Sequence, residues 1–401
     1  MIIGFVAFCL SAFAFEKHRI GWIALLHNLY FFTGLSAAGL LIAAINQACR
    51  ANWGRPVKRF AEACGAFLPF SLVGLVVLYF GAEHIYEWIN YPPDAELYPS
   101  KHMWLTKNFV FARDFIALTL LLLIGRRFMN ASSRADMGVA HEHHPDLWTQ
   151  PAGWLGAEAE IEKSQNTQSR FGVLYCIIYA IVISALAYDL IMSLDFRWIS
   201  TMFGGWNFTT FMLLSWSSMM VITHFLSRRF GLEHYMSKQL YHDLGKLTFG
   251  FTVVWGYLFF AQLMVIWYGN LPHETGFIIT RVKTETWQAY SWTVFAMVFL
   301  LPFILGLGKQ RKMSPYTFAP VIILSICGIW LERFLLIAPS CWYFDRHQGV
   351  FEGGIGMLLF VDVLVFLGFF GAFALVFTNY LYKRPLMVIA DPRLDLGINR
   401  H

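Results

Sequence analysis

Charged residues are scarce in this sequence, and their scarcity excludes the soluble classes of protein. Only 14% of the 401 residues are charged, whereas 57% are hydrophobic; soluble domains carry roughly 25% charged residues. The apolar residues fall into runs of about 17–25, the length that crosses roughly 30 Å of hydrocarbon. The composition therefore excludes a soluble enzyme, a disordered scaffold and a nucleic-acid binder, and it predicts a multi-pass membrane protein.

Cysteine motifs are lacking as well. The six cysteines form neither a C-x-x-C pair nor a C-x-x-C-H haem attachment motif. The segment 141–144 reads HEHH, which lacks the H-E-x-x-H spacing of a helical metal site. Covalent haem, an iron–sulfur cluster and a disulfide framework are therefore not expected in this chain, and no metal ligand is assigned.

Ten apolar runs predict ten transmembrane helices. Backbone amides in lipid must be satisfied within a helix or a closed barrel, and the runs lack the ten-residue alternation of barrel strands. The first run has the length of a signal-peptide core, but it lacks a basic leading region and a small-residue cleavage site, so we favour a short anchoring helix. The predicted spans are 1–15, 20–46, 64–89, 107–125, 171–194, 206–226, 244–267, 286–307, 318–338 and 357–380.

The basic residues between the spans predict an orientation. Loops after even-numbered spans, together with the C-terminal tail, carry 20 Lys and Arg, whereas loops after odd-numbered spans carry 8. Under the positive-inside rule this asymmetry places both termini in the cytoplasm. The longest loop, 126–170, reads as a cytoplasmic linker. Redox chemistry in water would then belong to partner subunits.

Ionisable residues within spans are costly in lipid, so they are functional candidates. A rise of about 1.5 Å per residue puts one set, on spans two to five, within about 10 Å of the outer face. A His–carboxylate group at this level suits quinol oxidation, because it can accept the protons that the ring hydroxyls lose. The members of this set are His27, Glu83, His84, Glu87, Arg113, Asp114 and Asp189.

Spacing adds detail to this outer set. Glu83 and Glu87 are spaced i, i+4, so they should share a helix face and repel each other unless Arg113 lies between them. Arg113 and Asp114 point about 100° apart, so they should reach different helices. Ion pairs that only hold the helices together are the structural alternative. A haem ligated by His27 and by His84 is a further one, although nothing else marks a haem pocket.

The second half of the chain carries another polar set. One member lies near the cytoplasmic end of span six, opposite Lys246, and the others lie in the middle or outer parts of later spans. Carboxylates and an imidazole spread between the two faces can pass protons through bound water; pairing of Arg333 with Asp362, and of Glu332 with a neighbour, is an equally good interpretation. No residue is assigned a catalytic role. The proton-route candidates are His224, Gln262, Glu332, Arg333 and Asp362.

Two motifs carry a resemblance to a known family. The segment 188–204 contains D-x-x-M-S-L from Asp189, and the segment 256–275 contains Q-L-x-x-x-W-Y-G-N from Gln262. Through them, and over nearly its whole length, the chain resembles the NrfD/PsrC-like quinol-interacting membrane subunits. Within that family it is most similar to the F subunits of alternative complex III, a bacterial quinol:electron-acceptor oxidoreductase.

The resemblance implies an all-α polytopic membrane fold. Ten helices would form two four-helix bundles, spans two to five and six to nine, flanked by spans one and ten. The corresponding parts of the chain are 1–19, 20–194 including the loop 126–170, 195–338, and 339–401. The expected location is the bacterial cytoplasmic membrane.

The resemblance also implies a function. The chain would be a subunit of a respiratory or photosynthetic quinol-oxidising complex, and would support quinol oxidation and provide a transmembrane proton route. In the family, the paralogous C subunit binds quinol near the periplasmic face through a His and an Asp, in places comparable to His84 and Asp114 here. Menaquinol or ubiquinol would be the ligand. The implied partners are the C subunit, an iron–sulfur subunit, multihaem cytochrome c subunits and small membrane subunits, so that haem c and the clusters lie outside this chain.

Three other interpretations stay open. Direct quinol binding by this chain is the nearest, although the acid-rich surroundings of His84 suit water and protons better than a hydrophobic ring. A secondary transporter would fit two similar bundles with helices interrupted by Gly and Pro, but the outer set lies away from the membrane midplane. A purely structural subunit is the third.

Overall fold

The protein is all-helical. The computed structural model describes residues 1–14, 18–94, 99–195, 197–342 and 354–398. Helix accounts for 83% of the structure and these ranges contain no strand, which confirms the predicted all-α class. Within the same ranges, nine helices are long and apolar enough to cross a membrane, as expected for a multi-pass membrane protein. Residue 15 of the first predicted span lies outside the described residues.

The helices follow one another with short connections. Short 3₁₀- or π-helical segments extend some of them. Ala82–His84 and Met192–Asp195 are 3₁₀-helical, and Ala187–Ile191 and Ala296–Leu300 are π-helical. The helices are α1 Ile2–Cys9, α2 His18–Ala48, α3 Lys58–Gly65, α4 Leu68–Gly81, α5 Glu87–Asn90, α6 Pro99–Trp104, α7 Lys107–His143, α8 Ala157–Leu186, α9 Phe203–Arg229, α10 Lys238–Gly269, α11 Pro272–Val282, α12 Glu285–Phe295, α13 Leu301–Gly306, α14 Lys309–Met313, α15 Pro315–Trp342, α16 Gly354–Tyr382 and α17 Leu394–Ile398.

The connections gather on two faces. The first face contains residues 82–94, 99–106, 187–195, 197–202 and 270–284, and the second contains 49–57, 230–237, 307–314 and 383–398. On the first face the rings of Trp198 and Phe277 stack with centroids 3.8 Å apart, and on the second Arg55 pairs with Asp391. The first face corresponds to the predicted outer side and the second to the predicted cytoplasmic side.

Helix α2 lies at the centre of the fold. In its most apolar stretch, 94% of the residues are buried within the protein. Helix α2 contacts α3, α4, α8, α9, α15 and α16. A membrane helix with neighbours on every side can carry polar side chains, because those side chains meet protein rather than lipid. The polar residues of α2 from His27 to Gln47 therefore lie inside the protein.

Helix α1 is shorter than a full crossing. Its apolar stretch, Ile2–Phe13, covers about 18 Å at 1.5 Å per residue, whereas the hydrocarbon core is about 30 Å thick. It packs on α16 where Gly4 meets Gly368, and a Cβ added to Gly4 would lie 2.4 Å from the Cα of Gly368. Two glycines therefore allow the close contact that holds this short helix.

The third predicted span, 64–89, does not form one helix. Helix α4 ends at Gly81, where a Cβ would lie 2.0 Å from the indole of Trp22, and a single tight turn follows before α5 begins at Glu87. Glu83 and Glu87 therefore do not share a helix face, and the predicted i, i+4 repulsion is absent. The contact with Trp22 belongs to the tertiary structure, so the spacing of the sequence did not reveal it.

The predicted loop 126–170 is mostly helical. Helix α7 continues to His143 and α8 begins at Ala157, so each extends well past the predicted limits 107–125 and 171–194. The extensions are joined by Arg134, whose Nε donates to Glu160 Oε2 at 3.0 Å. The polar composition of this segment reflects helices outside the apolar layer rather than a linker.

Candidate functional site

The first group of buried charges surrounds Asp189 near the first face. Asp189 lies on the widened turn that follows α8, and its carboxylate accepts from Arg113 Nε at 2.8 Å and from the indole of Trp104 at 3.0 Å. The guanidinium of Arg113 also covers the Trp104 ring at 3.8 Å. Arg113 thus reaches another helix, as predicted, but its partner is Asp189 and not the Glu83–Glu87 pair.

Asp114 lies beside this group and is fully buried. Its carboxylate lies against that of Asp189, close enough for the two to share a proton, and neither of its oxygens accepts a hydrogen bond from any other described residue. A buried carboxylate without a donor is costly, and such groups are found where water, a proton or a ligand completes them. Asp114 is therefore the strongest chemical candidate of the outer set.

The remaining members of the outer set do not join Asp114. Glu83 is exposed and pairs with Lys107 at 2.7 Å, and His84 is exposed next to the Trp22 ring. Glu87 is partly buried at the start of α5. The acidic and imidazole side chains that the sequence placed at one depth therefore form two groups. One is the buried Asp114–Asp189 group, and the other is a more exposed group around His84.

His27 belongs to a different centre, formed with α15 and α16. Its Nδ1 lies 2.7 Å from Asp362 Oδ2 and its Nε2 lies 2.9 Å from the carbonyl oxygen of Trp330. Asn28 donates to Asp362 Oδ1 at 2.7 Å and accepts from the Trp330 indole at 3.2 Å. Both ring nitrogens of His27 are thus occupied, so the alternative of a haem held by His27 and His84 is wrong.

A second buried centre is adjacent on α2 and α15. Glu332 accepts from the Trp255 indole at 3.1 Å and pairs with Arg333 at 2.9 Å. Arg333 donates to Asn207 Oδ1, which also accepts from the Tyr30 hydroxyl at 2.9 Å. The predicted pairing of Arg333 with Asp362 is wrong, because Arg333 faces α9 whereas Asp362 faces α2. The predicted pairing of Glu332 with a neighbour is confirmed.

The two centres form one polar layer across the fold. His27 and Tyr30 lie on α2, one turn apart, while Trp330 and Arg333 lie on α15 with the same spacing. The side chains of His27, Glu332, Arg333 and Asp362 are 2% exposed or less. This layer brings together three of the five proton-route candidates and one member of the outer set.

A lateral cavity of about 530 Å³ adjoins Glu332. Its walls are mainly aromatic and include Trp206, Trp255 and Phe295, and Gln262 is among its few polar residues. Gln262 is 6% exposed, and its Oε1 has no hydrogen-bond donor among the described residues. Glu332 Oε2 lies near Arg333 but outside hydrogen-bond geometry. Within its apolar walls the cavity therefore presents one acceptor without a hydrogen bond, Gln262 Oε1, beside the Glu332–Arg333 ion pair.

Arg281 lines the lateral cavity on the side nearest the first face. Sequence reasoning did not identify it. Its guanidinium donates to the carbonyl oxygens of Leu335 at 2.9 Å, Leu336 at 2.8 Å and Phe277 at 2.9 Å. The Leu335 carbonyl needs this donor because Pro339, four residues later, has no N–H. Pro339 directly after the predicted span 318–338 was the signal that could have indicated a side-chain donor nearby, because the helix continues past it to Trp342.

His224 lies apart from all these groups. It is half-buried near the second face, with its ring 4.9 Å from the ring of Tyr316. Lys246, which the sequence placed opposite, pairs instead with Asp243 at 2.7 Å. A proton route through this part of the protein would use His224, to which no carboxylate of the described residues is hydrogen-bonded.

A network of buried charges lies at the second face. Asp391 Oδ2 accepts from Arg55 at 2.8 Å and from Lys58 at 3.0 Å, while Arg59 bridges Glu62 and Asp136. Burial raises the pKa of Asp391, but the charges of Lys58 and Arg55 outweigh this effect and hold that pKa below its ordinary value. The sequence placed the three basic residues in a loop, but the C-terminal tail covers them.

No protein-family model and no curated protein sequence matches the chain.

Proposed function

We propose that the chain is an integral membrane subunit of a quinol:electron-acceptor oxidoreductase, where it supports quinol oxidation and provides a proton route across the membrane. The observation that carries the proposal is the polar layer of His27, Asp362, Glu332 and Arg333, buried inside apolar helices. Ionisable side chains in such a place are costly, so they commonly mark a path for ions or protons. A salt bridge kept only for stability is easily replaced by apolar packing.

The central helix supports a route between the faces. Helix α2 carries His27 and Tyr30 in the polar layer and, toward the second face, Gln47, which accepts from Lys58 at 3.2 Å. About 26 Å of helix separates Tyr30 from Gln47. Ser36 on α2 lies between them, and its hydroxyl donates to the Cys64 carbonyl oxygen at 2.7 Å. Polar groups thus accompany α2 from His27 to Ser36 and again at Asn46 and Gln47, with the apolar stretch 37–45 between them.

The arrangement that we propose is the one expected of the resembling family. One bundle would contain α2, α4, α7 and α8, the other would contain α9, α10, α12 and α15, and α1 with α16 would flank them. Contacts of α7 with α8, of α9 with α10 and α15, and of α1 with α16 support this grouping. Both termini would be cytoplasmic, with the first face toward the periplasm of a bacterial cell.

The decisive experiment is purification of the tagged chain from its native membrane. We expect multihaem cytochrome c and iron–sulfur subunits, together with a second related membrane subunit, to co-purify and to give haem and cluster spectra. Purification of the chain without redox partners would contradict the proposal. Counterflow uptake of a solute by the chain in liposomes would favour a secondary transporter instead.

Direct quinol binding by this chain is the second candidate function. The lateral cavity favours it, because its aromatic walls and its free acceptor, Gln262 Oε1, suit a ring with hydroxyl groups. The cavity lies in the second half of the chain. The Asp114 group, which the sequence favoured for this role, lies in the first half.

A further inference from the structure

A buried lysine without a counter-charge lies at the second face. Lys312 on α14 is 8% exposed. Its Nζ donates to the Gly306 carbonyl oxygen at 2.8 Å and lies 4.7 Å from the centre of the Phe249 ring. An ammonium has three N–H groups, and no carboxylate of the described residues pairs with this one. A buried charge is costly unless an opposite charge accompanies it, so Lys312 lacks an anion.

The residues around Lys312 add positive charge. Burial lowers the pKa of Lys312, and the charge of Lys246 lowers that pKa further. His242 on α10 is close enough to Lys246, Lys309 and Lys312 to interact with the charge of each. In the described part of the chain, the only carboxylate that pairs with any of these groups is Asp243, at 2.7 Å from Lys246. The basic cluster of His242, Lys246, Lys309 and Lys312 therefore has an excess of positive charge.

The basic cluster holds hydrogen-bond donors in a fixed arrangement. His242 Nδ1 is buried and has no hydrogen-bond partner among the described residues, and it donates in the tautomer that carries its proton there. Helix α14 packs directly on α10, since a Cβ added to Gly245 would lie 2.9 Å from the Cβ of Lys312. This contact places the buried ammonium beside the helix that carries His242. A phosphate group, which has several acceptor oxygens and a negative charge, would complete both donors.

The position of the basic cluster indicates where that phosphate comes from. Lys246 and Lys309 directly border two segments without charged residues, 247–269 and 286–308, and each segment is long enough to cross about 30 Å of hydrocarbon. Next to Lys309, Leu307 is 60% exposed. The cluster thus lies at the level where lipid headgroups meet lipid tails. The positive-inside rule accounts for basic residues in a connection, but it does not require one of them to be buried without a counter-charge.

We propose that the basic cluster binds the phosphate of an anionic phospholipid in the leaflet at the second face, with the Lys312 ammonium and His242 Nδ1 donating to its oxygens. Lys246 and Lys309 would supply the surrounding positive charge. The acyl chains would lie along the apolar surface that ends at Leu307. The basic cluster lies apart from the polar layer and the lateral cavity, and its binding of lipid is independent of the proposed function.

The test is native mass spectrometry of the delipidated chain in a neutral detergent, titrated with phosphatidylglycerol and, separately, with phosphatidylcholine. We expect one phosphatidylglycerol to bind saturably and about tenfold more tightly than phosphatidylcholine, whose choline cation the lysines repel. Equal affinities for the two lipids would overturn the proposal. Inorganic phosphate should not displace the lipid, because the acyl chains contribute to binding. Displacement by it would indicate a site for a soluble anion and would overturn the lipid as the ligand.

Two substitutions and a matched control locate the site. Lys309→Gln removes an exposed charge of the basic cluster and should weaken phosphatidylglycerol binding about fivefold. Lys312→Met keeps an apolar stem and removes the buried donor, so it should weaken binding on the order of tenfold. Lys383→Gln removes an exposed charge at the same face, directly after α16, and should leave the affinity unchanged. Equal affinities of the wild type, Lys309→Gln and Lys383→Gln would overturn the proposal, whatever effect Lys312→Met has on folding.

Discussion

One carboxylate of the C-terminal tail pairs with two buried cations, so its share of the tail's attachment can be measured. Asp391 accepts from Arg55 and Lys58 through Oδ2, and its Oδ1 accepts from the backbone N–H of Arg393 at 3.1 Å. The side chains of Arg55 and Lys58 are 0% and 1% exposed. The substitution Asp391→Asn keeps the shape of the side chain and removes its charge, so it leaves two buried cations without that counter-charge.

The expected cost follows from the burial. Breaking a buried ion pair by removing one partner costs about 3–5 kcal/mol, and the asparagine side chain retains one acceptor oxygen, so we expect a cost of about 3 kcal/mol. Since 1.4 kcal/mol is about tenfold in an equilibrium constant, the population with a detached tail should rise on the order of 100-fold. The rest of the fold should remain, because the other helices do not depend on Asp391.

Limited trypsin digestion measures this population. The bond after Arg393 is protected in the attached tail, where Arg393 is half-buried and its Nη1 donates to the Arg50 carbonyl oxygen at 3.0 Å. Cleavage there should follow the detached fraction when opening and closing are fast. The matched control is Asp395→Asn, since Asp395 lies on the same tail and is exposed. Equal cleavage rates for both variants and the wild type would refute the reasoning.

The same attachment should weaken in acid. The pKa of Asp391 in the folded protein lies below the ordinary value of 3.8, so the unfolded or detached tail binds a proton more readily. Its stabilisation is therefore complete above about pH 3.8 and is lost as the pH falls through the lower folded pKa. Trypsin is inactive there, so pepsin should cut the tail at an acid threshold that Asp391→Asn abolishes.

Four further substitutions test the site and its support. Asp114→Asn should slow quinol oxidation by the whole complex by about 100-fold if its carboxylate accepts a proton, measured as the rate of haem reduction. Glu332→Gln should lower the number of protons moved per electron while electron transfer continues, measured with a pH dye in proteoliposomes. Arg281→Met should lower the free energy of unfolding by roughly 2–4 kcal/mol, because it leaves buried carbonyls without donors, measured by thermal unfolding in detergent. Pro339→Ala should partly rescue that loss, since the new N–H reaches the Leu335 carbonyl.

Each of these predictions has a control and a contrary outcome. Glu83→Gln alters an exposed carboxylate on the same face as Asp114, and equal turnover in the two variants would leave Asp114 with a structural role. Parallel losses of proton and electron transfer in Glu332→Gln would indicate misassembly rather than a blocked route. A Pro339→Ala exchange that gives no rescue would show that the Leu335 carbonyl does not account for the cost of losing Arg281.

The membrane architecture could be predicted from the sequence because lipid imposes it locally. An apolar run of sufficient length has to form a helix wherever it lies in the fold, and the all-helical structure confirms this. Helix ends set by packing could not be predicted in the same way. Gly81 ends α4 against Trp22, a contact between residues far apart in the chain that no periodicity records.

The site was predicted in part for a similar reason. Counting residues from the helix ends selected His27 and Asp362 as buried polar groups, because depth depends only on rise per residue. Their partnership required knowing which helix faces which. Pairing of Arg333 with Asp362 was one of two equal interpretations, whereas Arg333 bonds to Asn207 and pairs with Glu332. The lateral cavity could not have been found, since a void is a property of several helices together.

The burial of α2 has a consequence for biosynthesis. His27 on this helix is bonded to Asp362, which the ribosome adds 335 residues later. At roughly 5–20 residues per second, the imidazole waits on the order of 20–70 seconds for its carboxylate. During that interval an early segment with exposed imidazole and amide groups must be sheltered by the translocon, an insertase or water at the bilayer surface. The polar contacts of α2 can therefore be completed only after the last transmembrane segment has left the ribosome.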